Sequence, residues 1–168
     1  MLSQTRKVTI KQGKTAKSFI VRDLDDWQAV AAALVKVIKP GSIVSLSGPL
    51  GAGKTTLVQY VAKLLGAPKR ALSPTFALMR IYKVHGHNSP RLRHPSLKLR
   101  EGKGVGYGAQ LRRLVHVDAY RLEDEKDLVV LALDEELMEP GTAVLIEWPE
   151  NIKVWLSKKH PIKVLISY

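Results

Sequence analysis

Gly48, Gly53, Lys54 and Thr55 fall in the order G-x-x-x-x-G-K-[ST] within Gly48-Pro49-Leu50-Gly51-Ala52-Gly53-Lys54-Thr55. A chain that wraps a triphosphate must turn several backbone N–H groups inward. Glycine allows both the torsions and the close approach that a Cβ would block. A helix beginning at the end of such a loop aims its N-terminus at the phosphates, where its dipole and unpaired N–H groups favour negative charge. This Walker A spacing predicts that Gly48, Leu50, Gly51, Ala52, Gly53, Lys54, Thr55 and Thr56 contact a nucleotide. Lys54 is expected to reach the β and γ phosphates, and the Thr55 hydroxyl to hold magnesium.

A magnesium ion bridging two phosphates also needs an acidic partner, which in this architecture comes from the end of a neighbouring strand. Two carboxylates qualify. Asp118 ends Leu114-Val115-His116-Val117-Asp118, and Glu147 ends Ala143-Val144-Leu145-Ile146-Glu147. One should serve magnesium and the other the attacking water; spacing does not say which. The base is read as adenine by elimination, because Asn151-Ile152-Lys153-Val154 lacks the Asp of the N/T-K-x-D segment that reads guanine. Other chemistries fare worse. The chain has no cysteine, which excludes disulfides, thiolate zinc sites, iron–sulfur clusters and Cys nucleophiles. His85-Gly86-His87 and His94 have no acidic or Cys neighbour that would complete a metal site.

These residues need a scaffold. Ser42 to Ser47 reads as a buried strand feeding the glycine loop, and Leu57, Val61 and Leu64 mark a helix after it that Gly66 closes. Ahead of this unit, Lys7–Ile10 and Ser18–Arg22 alternate polar and apolar residues around Gly13, as an edge strand pair would. Leu24, Trp27, Ala31, Leu34 and Ile38 then recur at helical spacing behind a capping Asp23, until Pro40-Gly41 stops the run. The acidic segment Glu123 to Leu137 reads as helix, and Pro161 to Ser167 as a last strand. The expected fold class is α/β: a single P-loop NTPase domain over residues 1–168, its central sheet mostly parallel, with helices on both faces and the ligand at the carboxyl ends of the strands.

The 168 residues carry a formal charge of +12, and the excess is local. Residues 1–22 hold six basic residues and no acid, and residues 83–113 hold eight against Glu101 alone. Segregated positive charge commonly meets a polyanion, since neutralising phosphates releases condensed counterions; the alternative is a solvated loop. Tyr107 is the only aromatic residue between 83 and 113, so base stacking has little support there. The longest uncharged stretch, Pro40 to Gly53, is shorter than the roughly 18 apolar residues a membrane span requires. The N-terminus lacks the apolar core of a secretory signal, so the expectation is a cytoplasmic protein without a membrane partner.

Four motifs in order, the loop LSGPLGAGKTT, Ser73-Pro74-Thr75-Phe76, His116-Val117-Asp118-Ala119-Tyr120-Arg121-Leu122 and Ile146-Glu147-Trp148-Pro149-Glu150, closely resemble the TsaE family. The resemblance implies an ATPase, slow without partners, that supports threonylcarbamoyladenosine synthesis in tRNA together with a TsaB–TsaD pair. Carried over by position, it implies Walker A roles for Lys54 and Thr55, magnesium ligation by Glu147, and a requirement for Asp118 in hydrolysis. It places Thr75 in a switch-like loop at the γ phosphate, sets Trp148 near the nucleotide, and puts Leu24 to Trp27 at the edge of the adenine. The chain departs from the family pattern in several places. About thirty residues separate the SPTF and H-x-D strands, where a short turn is usual; residues 84–112 look inserted, and with the basic N-terminus they are expected to contact tRNA. The chain ends soon after its last strand, where many members carry further elements. Ala132 stands where many members have Gly. Two competing readings share the nucleotide loop: a small-molecule kinase with Asp118 as base toward an acceptor hydroxyl, and a nucleotide-gated RNA-binding subunit with little turnover.

Overall fold

Alternation around Gly13 folds the start of the chain into a hairpin of β1 (Arg6–Gln12) and β2 (Thr15–Val21), paired from Arg6↔Val21 to Gln12↔Thr15. The structure, a computed structural model, describes residues 4–68, 78–85, 111–122 and 132–168. Helix α1 (Leu24–Val35) opens on a reciprocal cap: the Asp23 carboxylate accepts from the Asp26 amide at 2.9 Å, and Asp26 accepts from the Arg22 amide at 2.8 Å. The first bond satisfies a donor that a helix start leaves open, and the second ties the residue before the cap to the first turn. The helix ends before Ile38, because the amides of Val37 and Ile38 both converge on the Leu34 carbonyl and tighten the last turn.

β3 (Ile43–Ser47) runs through the glycine loop into α2 (Lys54–Leu64), which stops at left-handed Gly66. Then follow β4 (Met79–Lys83), β5 (Arg113–Asp118), a short 3-10 turn at Ala119–Arg121, α3 (Leu133–Met138) and β6 (Thr142–Glu147). A second 3-10 turn (Pro149–Ile152), α4 (Lys153–Ser157) and β7 (Ile162–Ser167) complete the chain. Of the expected acidic helix, residues 123–131 lie outside the described residues.

The strands form one seven-stranded sheet in the order β2-β1-β7-β3-β6-β5-β4. β7–β3, β3–β6 and β6–β5 are parallel; β2–β1, β1–β7 and β5–β4 are antiparallel. The expectation of a mostly parallel sheet is thus corrected to a mixed one, with a parallel centre of four strands and antiparallel flanks. Of the antiparallel pairs only β1–β2 is a short hairpin; β4–β5 spans the long insertion, and β1–β7 joins the two ends of the chain. Period-2 alternation splits the core in two. Val44, Leu46, Leu114 and Leu145 face α1 and α2, whereas Ile43, Val115, Val144 and Ile146 face Leu133, Ile152 and Leu156 on the other side. Helices therefore cover both faces.

Of the insertion, only the base lies within the described residues. The Val84 amide donates to the Arg112 carbonyl at 2.9 Å, extending the β4–β5 ladder. That base is at the opposite end of β5 from Asp118. Ala132, where many members of the resembled family have Gly, has φ +47°. A left-handed conformation costs an L-residue roughly 1–2 kcal/mol, which is the physical reason glycine suits this helix start.

Candidate functional site

The loop between β3 and α2 closes tightly enough that two of its glycines have no substitute. A Cβ on Gly48 would lie 2.7 Å from the Ile166 carbonyl oxygen, and Gly53, at φ +104°, would drive one into the Trp27 ring. Trp27, 4% exposed, is thereby the buttress of the loop rather than an open platform, while Leu24 is exposed.

Lys54 begins α2 and is buried, an arrangement that needs polar partners. Its Nζ donates to the carbonyls of Gly48 at 2.6 Å and Pro49 at 2.9 Å, and it sits 3.7 Å from the centre of the Trp148 ring. Burial lowers its pKa below the ordinary lysine value, and the nearby charges of Glu147, Glu150 and Asp118 oppose that shift. The ammonium is therefore a buried cation held by the loop's own oxygens. Phosphate oxygens can replace those carbonyls.

Thr55 Oγ1 donates to Glu147 Oε2 at 2.9 Å, across 92 positions of sequence. The other carboxylate oxygen, Oε1, lies 2.8 Å from His116 Nε2, with both side chains buried. His116 was not among the expected site residues. The signal was present in the alternation of Leu114, His116 and Asp118, which sets all three on one face of β5, but recognising its partner required knowing that β6 is the neighbouring strand. Asp118 pairs with Glu147 in the β5–β6 register. Its Oδ1 accepts from the Tyr120 amide at 3.1 Å, and it is less deeply buried than Glu147.

Trp148 takes φ +58°, an uncommon conformation for a bulky residue. It turns the chain directly after Glu147, and the ring lies between Lys54 and Tyr120, whose ring centre is 4.9 Å away. The side chain is partly buried, so it both packs and faces the site. Asn151 secures this corner by donating to the carbonyls of Ala119 at 2.8 Å and Tyr120 at 3.3 Å.

The structure thus brings Lys54, Thr55, Asp118, Glu147 and Trp148 together at the carboxyl ends of β3, β5 and β6. Leu50 and Gly51 form the exposed outer bend of the loop, Ala52 is buried beneath it, and Thr56 is half-buried on α2. Thr75 and the SPTF motif lie outside the described residues. A hydroxyl and a carboxylate in contact are hard oxygen donors of the kind magnesium takes. Among the described residues no group of three or more His, Asp or Glu could enclose a metal, so a divalent ion here would take the rest of its shell from water and phosphate. Among the same residues, no helix is long and apolar enough to cross a membrane.

Comparison with known proteins agrees with the motif order. The model of the family "Threonylcarbamoyl adenosine biosynthesis protein TsaE" matches residues 21–97 and 105–168. The chain is 31% identical over 147 residues to the tRNA threonylcarbamoyladenosine biosynthesis protein TsaE of Mycobacterium leprae (strain TN), covering 84% of this chain and 76% of the relative. It is 38% identical over 119 residues to that of Streptomyces coelicolor, covering 70% and 64% respectively. Among solved structures it resembles Bacillus subtilis YdiB, with a TM-score of 0.50 and 25% identity over 80% of this chain and 65% of that one. On the family match over most of its length and on these relatives, the chain belongs to the TsaE family.

Proposed function

We propose that this protein binds ATP with magnesium at the Gly48–Thr55 loop and hydrolyses it in support of threonylcarbamoyladenosine formation in tRNA, acting with TsaB–TsaD-like partners. The observation that carries the reading is the Thr55–Glu147 hydrogen bond of 2.9 Å beside a buried Lys54 that points its ammonium into the loop. Family membership and the names of the relatives support the biosynthetic role. Bound magnesium would neutralise charge on the phosphate oxygens.

With ATP bound, Lys54 would exchange the Gly48 and Pro49 carbonyls for β and γ oxygens, with the Trp148 ring against its ammonium. Thr55 and Glu147 supply the protein's share of the magnesium shell. The Glu147 carboxylate suits this role because Thr55 and His116 fix its two oxygens in one orientation. Asp118, more open and one strand over, is left to orient the attacking water. Trp148 covers the Lys54 ammonium and excludes bulk water from it. Thr75 and the partner contacts enter this proposal from the family resemblance alone.

Product analysis tests the reading. Inorganic phosphate should appear from ATP with water as the only acceptor, whereas a kinase would need an added acceptor and leave the phosphate on it. Lys54→Ala and Glu147→Gln should each lower phosphate release by about 100-fold or more, the scale on which loss of a transition-state charge contact acts, and should fail to restore the modified base in cells lacking the native protein. Full restoration by both variants would make nucleotide turnover irrelevant.

A further inference from the structure

A second concavity lies on the sheet face turned away from α1 and α2. It is a cleft of about 680 Å3, lined among others by Lys11, Ser45, Ser47 and Lys163 of the strands and by Glu150 and Lys153 beside them. Strand alternation explains its position. Ile10, Val44 and Val164 point to the α1–α2 core, so Lys11, Ser45 and Lys163 point the other way. The second core cluster covers β5, β6 and the start of β3 but includes no residue of β1, β2 or β7. Two small serines stand on β3, where a buried parallel strand ordinarily carries branched apolar residues, and leave room for the cleft.

Its charge is the informative feature. Lys11 and Lys163 are direct cross-strand partners in the β1–β7 pair, and like charges in that position destabilise a sheet. Lys153 adds a third cation, while Glu150 is the one acid among the lining residues. None of the three lysines is ion-paired among the described residues. Lys7 continues the row along the same face of β1, two alternations from Lys11.

We propose that this trough is a binding site for the phosphodiester backbone of RNA, an inference that rests on the tRNA-directed reading above for its choice of polyanion. Lysines serve as point-charge phosphate ligands, and serine hydroxyls donate to phosphate oxygens. The lining holds no Phe, Tyr or Trp on which a base could stack, and His160 is its single ring. The contacts are therefore to the backbone and independent of sequence. Bound phosphates also relieve the Lys11–Lys163 repulsion.

The test is fluorescence anisotropy of an unmodified tRNA transcript against the whole chain, from about 50 to 200 mM salt. The variant Lys11→Ser/Lys153→Ser/Lys163→Ser should bind at least about tenfold more weakly, with its log–log salt slope reduced by about 2 to 3, one phosphate contact per lysine. The corresponding triple arginine variant should retain binding, and circular dichroism should show the serine variant folded. Phosphate release from ATP should be unchanged in the serine variant. Affinity and slope equal to those of the unaltered chain would overturn the proposal. So would a slope abolished by neutralising Arg91, Arg93, Lys98 and Arg100 but not by the serine variant, or loss of partner-protein binding with RNA binding intact. A chain that releases no phosphate yet loses tRNA in the serine variant would refute the ATPase reading and leave the trough standing.

Discussion

Glu147 has both carboxylate oxygens engaged, one by the Thr55 hydroxyl and one by His116, and all of this occurs at a buried strand end. A carboxylate held at two points keeps one orientation, and outer partners of this type commonly matter 10–100-fold to the ligands they position. Replacing His116 by Ala leaves Oε1 buried without a partner, which costs about 1–3 kcal/mol and frees the carboxylate to rotate. His116→Ala should therefore lower both the denaturation midpoint and the rate of phosphate release, and raise the magnesium concentration needed for half-maximal rate. His116→Gln, whose amide can donate to Oε1, should recover much of the magnesium dependence. Equal magnesium dependence in His116→Ala and the unaltered protein would show that His116 only fills space.

At the scale of elements, the short helices α3 and α4 are too brief to persist on propensity alone, and a single carboxylate ties them together. Asp134, in the first turn of α3, accepts from Trp155 Nε1 on α4 at 3.2 Å and from Lys159 Nζ at 2.6 Å. The Lys159 hydrogen bond, then that of Trp155, hold the Asp134 carboxyl below its ordinary pKa. Because the folded state binds this proton more weakly than the unfolded chain, the stabilisation is complete above the ordinary value of about 3.9 and is lost as pH falls through the lower folded value. The carboxylate is largely exposed, so solvent screening keeps the effect below about 1 kcal/mol. Urea denaturation between pH 7 and pH 2 should show a smaller acid-induced loss for Asp134→Asn than for the unaltered chain, and a slightly lower stability at pH 7. Identical pH profiles would remove Asp134 from the account.

For the molecule as a whole, the parts legible in the sequence are those governed by local rules. The glycine loop, the Asp23 cap, the hairpin about Gly13 and the apolar strands before Asp118 and Glu147 each announce themselves within a few residues. β4 did not, because Met-Arg-Ile-Tyr-Lys on a sheet edge has mixed polarity and owes its conformation to pairing with β5. The antiparallel β1–β7 and β4–β5 pairings, the His116–Glu147 contact and the left-handed Trp148 likewise depend on which strands become neighbours, which no local pattern encodes. That same long-range closure predicts a global response to ligand. The nucleotide site joins β3, α2, β5 and β6, elements brought together only in the folded chain, so a ligand there binds the native state and stabilises it by mass action. At about 100 times its dissociation constant the gain is about 2.7 kcal/mol, which for a chain of this size corresponds to a rise of roughly 5–11 °C in Tm. Thermal unfolding should show this shift with ATP and magnesium together and a smaller one with GTP and magnesium. Lys54→Ala, folded but lacking the ammonium, should show almost none at the same nucleotide concentration. A full shift in Lys54→Ala would mean that ATP binds elsewhere on the protein, and the loop would lose its assigned role.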